Sequence, residues 1–241
     1  LDELITREES KELLKDANDT FQIEKLDNFG MRSLEEALPD EDNKETKADA
    51  AEDRIIDYNT VVKRLLIHND EVPSSKLTPY FNHHAFYANL RHYQSQSKEA
   101  VVDFGRYLLY GEVVTSTNTI LEKYAQTCSP VYRDLIANRN RNIKLLRHLP
   151  TGFTAAATVQ VAGRGRGSNV WVSPAGALIF STVVRHPMEK MQTAPVVFIQ
   201  YLAAMAVVQG IKRYDKGYED LPVKMKWPND ICMSRILKPL Q

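Results

Sequence analysis

The sequence predicts an α+β fold, a mixed β-sheet with helices packed on one face. Three observations carry that expectation. Apolar runs from Phe153 to Val161 and from Ala177 to Val184 bracket the stretch Gly163-Arg164-Gly165-Arg166-Gly167, as strands bracket a loop. Val223-Lys224-Met225-Lys226-Trp227 alternates apolar residues with Lys, which puts both lysines on one strand face and Val223, Met225 and Trp227 on the other. Pro228-Asn229-Asp230 then supplies a sharp turn before a further strand from Ile231 to Met233. Helical patterns at Ile120, Leu121 and Tyr124 and from Ala194 to Lys212 fall between these strand pairs.

At 241 residues, 43% of them hydrophobic, the chain has material for one large domain, or for one domain and an appendage. Lys plus Arg equals Asp plus Glu at 31 each. No global field therefore draws the chain to nucleic acid or to a membrane, and any cationic function is local. Cys128 and Cys232 stand far apart without a second Cys or His at ligand spacing, which argues against a disulfide framework or a zinc site and fits a reducing, cytoplasmic compartment. No signal-peptide pattern opens the chain. The longest apolar tract, Ala194 to Ile211, is interrupted by Gln200, Gln209 and Gly210 and reads as a buried helix rather than a membrane span. A start at Leu1 and an end at Gln241, just past a strand-like segment, suggest a piece of a longer protein.

Taken in order, residues 1–54 read as a helical segment and charged linker of an N-terminal extension. Glu8 to Leu14 and Ser33 to Leu38 are helix-forming runs, and Pro39 to Asp53 lacks aromatic and branched aliphatic residues. Residues 55–100 form a connecting segment. Ile55, Ile56, Tyr58, Val61, Val62, Leu65, Leu66 and Ile67 recur at helical spacing, and Tyr80 to Tyr87 is dense in aromatics and carries His83 and His84. Adjacent histidines point apart on a helix or a strand, so packing and hydrogen bonding explain them better than a shared metal. Residues 101–241 open with a strand from Tyr107 to Val114. Thr115-Ser116-Thr117-Asn118 follows and suits a helix N-cap; one such group satisfies the cap, and a run of four leaves side chains for a polar ligand. The basic run Arg133 to Arg147 reads as a solvent-facing insertion, and Pro187 to Pro195 as a turn.

A glycine-rich connection beside two arginines suits a carboxylate or phosphate whose charge grows as it reacts. It is not a Walker loop, because no Gly-Lys-Ser/Thr follows, and the apolar, Trp-bearing strand after it stands where a dinucleotide fingerprint would place a helix. An RNA-binding role for Arg164 and Arg166 is the competing reading, although such segments are usually repetitive. Lys226, Asn229 and Asp230 form a second cluster: a lysine can meet a polyphosphate, and Asp with Asn can hold a magnesium ion. A lone Lys-Trp-Pro-Asn-Asp is more often a tight turn. Together the clusters match the needs of carboxylate activation by adenylation.

Ser116-Thr117-Asn118, the run from Gln160 to Gly167, Trp171-Val172-Ser173-Pro174 with Gly176, and Lys226 to Asp230 together resemble the biotin protein ligases in their eukaryotic, holocarboxylase synthetase form. The resemblance covers about Val101 to Met233. It implies a catalytic domain of the class II aminoacyl-tRNA synthetase-like kind and a two-step reaction, in which biotin and magnesium ATP give biotinyl-5′-AMP and a carboxylase lysine then takes the biotinyl group. Acetyl-CoA carboxylase and pyruvate carboxylase are the partners it implies, with no nucleic acid or membrane partner.

By the same resemblance Ser116, Thr117, Asn118, Gln160, Gly163, Arg164, Gly165 and Arg166 lie around biotin. Arg164, Arg166, Trp171, Lys226, Asn229 and Asp230 serve ATP or the adenylate; Arg166, Lys226 and Asp230 are the catalytic set, and Asp230 is the magnesium ligand. The family's next motif, a Lys followed by Gly-Gly-Ile or Ala-Gly-Ile, does not occur after Asp230, nor do its remaining strands and small barrel. The chain alone is therefore expected to be inactive. A lipoate or octanoate transferase of related fold is the nearest alternative.

Overall fold

The computed structural model describes residues 5–8, 11–15, 20–24, 61–68, 71–96, 103–122, 149–165, 169–227 and 229–233. The chain divides into two compact units, Leu1–Val184 and Arg185–Gln241.

The first unit opens with β1 (Ile5–Glu8), β2 (Lys11–Lys15), β3 (Thr20–Glu24) and β4 (Lys63–Leu66). β1–β2 and β2–β3 pair antiparallel and β3–β4 parallel. This sheet corrects the helical expectation for Glu8 to Leu14 and for the end of the Ile55 to Ile67 run. Leu14 opposes Phe21 across β2–β3 and both are buried. The helix preference of Lys, Glu and Leu amounts to only a few tenths of a kcal/mol per residue, so cross-strand burial outweighs it. The Arg64 Nε donates to both oxygens of Glu24 at 2.8 Å, tying β4 to β3. Ser33 to Leu38, Pro39 to Asp53 and residues 55–60 lie outside the described residues.

Next come α1 (His83–Gln96), β5 (Leu108–Val114), α2 (Thr117–Glu122), β6 (Thr154–Arg164), β7 (Val170–Ser173) and β8 (Ile179–Thr182). β5 runs parallel to β6, from Leu108 opposite Thr154 to Val114 opposite Gln160. On its other side β6 pairs antiparallel with β8 along its first half and with β7 along its second. This is the mixed sheet that the sequence predicts. α2 packs against β6 and β8, where Ala155, 1% exposed, lets the helix approach closely. The core there is Leu121, Leu149, Ala155 and Val183, flanked by Leu109 and Phe153. The basic run Arg133 to Arg147 lies outside the described residues.

The second unit holds a 3-10 turn (Met188–Lys190), α3 (Val197–Lys212), a second 3-10 turn (Tyr218–Asp220) and the antiparallel pair β9 (Val223–Lys226) and β10 (Asp230–Met233). α3 forms where the sequence predicts a helix, but only Ala204 of it is buried; Val197, Phe198, Leu202 and Met205 are exposed. Within its unit α3 packs on β9, β10 and a 3-10 turn, a surface too small to cover an apolar helix. In β9 the alternation holds from buried Val223 to exposed Lys226. It stops there: Trp227, 79% exposed, lies beyond the last paired residue rather than beside Val223 and Met225. No helix among the described residues is long and apolar enough to cross a membrane.

Candidate active site

The predicted site residues of the first unit gather where β6 passes the start of α2. Ser116 is the helix N-cap: its Oγ accepts the Thr119 N–H at 3.2 Å. Gln160, from the neighbouring strand, completes the cap. Its Oε1 accepts the Thr117 N–H at 2.9 Å and the Thr117 hydroxyl at 3.4 Å, and the Thr117 Oγ1 in turn pairs with Ser181 Oγ at 3.0 Å. Ser116, Thr117 and Gln160 are 1%, 3% and 6% exposed, so this network is sealed from water and each bond counts for more than it would at the surface. Asn118 is exposed on α2. Capping therefore explains Ser116 outright, while Thr117 is committed to Gln160. Ser181 completes the network although sequence reasoning did not single it out; its only signal was a hydroxyl inside an apolar strand.

Past Gln160 the pairing of β6 with β7 slips by one residue. Gln160 faces Ser173, whereas Gly163 faces Trp171 and Arg164 faces Val170. Such a bulge re-aims the side chains that follow it. A β-carbon placed on Gly163 would overlap Gln160 Nε2 and Trp171 Nε1 and come within 2.7 Å of Trp171 Cδ1. One placed on Gly165 would come within 2.9 Å of Trp171 Cζ3 and of Asn169 Cβ. The indole thus lies along the two glycines, pyrrole edge at Gly163 and benzo edge at Gly165, and two N–H donors, from Gln160 and Trp171, converge beside Gly163. Gly165 N–H donates to Asn169 O at 2.7 Å, closing the base of the β6–β7 connection. Arg164 alternates with the glycines, so it projects from the opposite strand face, where it is exposed. Arg166 and Gly167 lie outside the described residues.

Two residues before Gln160, Thr158 Oγ1 is hydrogen-bonded to the Tyr110 hydroxyl of β5. Burial raises the Tyr110 phenol above its ordinary value; the Thr158 bond opposes that shift, and the nearby Glu112 carboxylate adds to it. His83 packs edge-on against Tyr110, with ring centroids 5.3 Å apart. Its imidazole is held below the ordinary value by burial, reinforced by the charges of His68 and His84. The two histidines do point apart, His83 buried and His84 exposed.

Lys226, Asn229 and Asp230 belong to the second unit. Lys226 and Asp230 are register partners at the turn end of the β9–β10 hairpin, so their side chains leave the same face, and all three residues are exposed. A cation and oxygen donors thus stand side by side in solvent, as a phosphate with its counter-ion requires. Among the described residues no three His, Cys, Asp or Glu side chains gather at metal-ligand spacing.

Residues 110–235 match the Biotin/lipoate A/B protein ligase family, just over half of the chain. The chain belongs to this family. Over 128 residues it is 40% identical to the biotin–protein ligase of Schizosaccharomyces pombe, a match covering 53% of this chain and 17% of that protein. Over 87 residues it is 34% identical to the human biotin–protein ligase, covering 36% of this chain and 12% of that protein. The chain thus spans less than a fifth of the length of these two relatives. Among solved structures, the Leishmania major biotin protein ligase in complex with biotinyl-5-AMP aligns with a TM-score of 0.32 at 26% identity, over 53% of this chain and 47% of that one.

Proposed function

We propose that the chain carries the ligand-binding portion of a biotin protein ligase, which forms biotinyl-5′-AMP from biotin and ATP and transfers the biotinyl group to an acceptor lysine. One observation carries this reading. The family match at residues 110–235 encloses Ser116 to Asn118, Gln160 to Trp171 and Lys226 to Asp230 in one stretch. The 40% identity to a biotin–protein ligase favours biotin over lipoate or octanoate as the substrate.

On this reading the converging donors of Gln160 and Trp171 offer hydrogen bonds to the polar ureido head of biotin, with Ser116, Thr117 and Asn118 around it. Arg164 and Arg166 grip the carboxylate and then the adenylate phosphate, where a charge-assisted fork strengthens as charge develops. The biotin carboxylate attacks the α-phosphate and expels pyrophosphate. The acceptor amine, having lost a proton, then attacks the acyl carbon and expels AMP. Lys226 serves the phosphates as a point charge.

The exposed oxygens of Asp230 and Asn229 fit a magnesium ion that arrives with the nucleotide, since this metal is usually held by one or two carboxylates plus substrate phosphates. Bound there, it would neutralise phosphate charge. The acceptors are the biotin domains of carboxylases, acetyl-CoA and pyruvate carboxylase among them, and two widely separated cysteines favour a reducing, cytoplasmic setting.

The test is ATP–pyrophosphate exchange by the full-length protein, with biotin, lipoate or octanoate as the carboxylic acid. Exchange is expected with biotin, and exchange supported better by lipoate or octanoate would overturn the assignment. The RNA-binding alternative predicts affinity that falls steeply with salt, whereas this reading predicts thermal stabilisation by biotin with ATP.

A further inference from the structure

The stretch from Tyr80 to Leu90 precedes the family match, yet it is seated on the sheet that holds the site. Phe81 lies against Tyr110 of β5 with ring centroids 4.7 Å apart, and against His83 at 4.6 Å. His83 is 6% exposed and is wedged edge-on to Tyr110. The Tyr80 N–H reaches Glu112 Oε1 of the same strand at 3.5 Å. Further along α1, Phe86 and Leu90 close over Gly105, where a β-carbon would lie 3.1 Å and 3.9 Å from them. The helix start is fixed by the Asn82 carboxamide, which accepts the Ala85 N–H at 2.9 Å. This aromatic seat is therefore ordered by its own cap and anchored at two points.

What it rests on connects to the site. Tyr110 is the register partner of Ala156 on β6, and its hydroxyl reaches one step further along the same face to Thr158. Gln160 follows Thr158 by two residues on the same strand, before the bulge, and its side chain is bonded to Thr117 at the start of α2. A path of direct contacts thus runs from Phe81 and His83 through Tyr110 and Thr158 to the strand segment that presents Gln160.

We propose that Phe81 and His83 are positioning residues: seated on Tyr110, they hold the Thr158–Gln160 segment of β6 in place and so set the affinity for the ligand that Gln160 binds. The ligand part of this inference rests on the biotin reading above; the mechanical part does not. A residue that acts only through placement changes binding of the group it places and leaves the distant chemistry alone.

The experiment uses the full-length protein with Phe81→Leu, which keeps the bulk and loses the ring, Tyr110→Phe, which removes only the hydroxyl, and the double variant. Amide exchange is followed across Thr154 to Val161, together with KM for biotin, KM for ATP and kcat. Each single variant is expected to speed exchange in that strand and to raise the biotin KM about three- to tenfold. The ATP KM and kcat are expected to stay within about twofold, and the double variant should be little worse than the poorer single one, because both cut the same path. Unchanged exchange in Phe81→Leu, additive effects, or an equal loss in every kinetic constant would overturn the proposal. A wild-type protein that does not use biotin would remove the functional reading alone, and exchange in β6 would still decide whether the seat braces the strand.

Discussion

Trp171 lies where the side chains of Gly163 and Gly165 would be, and that space is the reason both positions lack a β-carbon. Gly163→Ala is expected to push the indole off the strand and to cost about 1–3 kcal/mol, the usual penalty for overfilling a packed contact. Tryptophan emission checks this in a Trp227→Phe background, where Trp171 is the only indole left; emission identical to that of the parent would refute it. The sequence showed which residues belong together here, but for a different reason. It read the glycines as freedom for a backbone that wraps an anion, whereas the strand pairing shows them as the bed of a tryptophan. It read Ser116, Thr117 and Gln160 as ligand groups, whereas Ser116 caps α2 through the Thr119 N–H and Thr117 and Gln160 bond to each other. That last bond was illegible, because Thr117 and Gln160 are 43 residues apart and only the parallel pairing of β5 with β6 brings them into contact.

Among the elements, those with strong local periodicity were legible. β5, β6, β8, β9 and α3 fall where apolar runs or alternation placed them, because the residue pattern within each segment carries the signal whatever its partner. The N-terminal sheet was not, since β4 pairs with β3 at a separation of 42 residues, Phe21 with Lys63, and Lys-Glu-Leu stretches favour helix until such a partner exists. The junction between β5 and β6 makes its own demand. Gly152 has φ +91°, donates its N–H to Val183 O at 2.8 Å and accepts the Gly105 N–H at 2.9 Å. A β-carbon there would stand 2.6 Å from Asp103 O. Gly152→Ala is expected to destabilise the first unit by about 2–4 kcal/mol, combining a left-handed backbone with a backbone clash. Urea unfolding followed by Trp171 emission gives the value, and a loss below about 0.5 kcal/mol, the range of ordinary surface changes, would show that the turn tolerates a side chain.

Over the molecule, balanced charge leaves the response to acid to individual buried groups, and among the described residues of the first unit the buried imidazole of His83 is one of them. It is packed against Phe81 and Tyr110, with His68 and His84 as the charged groups that act on it, while the Glu112 carboxylate acts on Tyr110; its Nε2 is buried without a partner. Burial and the two neighbouring histidines lower its proton affinity in the folded state, while the unfolded chain takes up a proton near the ordinary value of 6.5. Below that value the unfolded state therefore binds more protons than the folded one, and stability falls as pH falls; above it the contribution of His83 is fully present. The urea midpoint of the first unit is expected to drop between pH 7.5 and pH 5.5 more steeply in the wild type than in His83→Leu. That variant can lower stability at every pH through lost packing, so the slope and not the midpoint is the readout. Equal slopes in the two proteins would mean that His83 is not the group through which acid loosens the seat of α1 on β5.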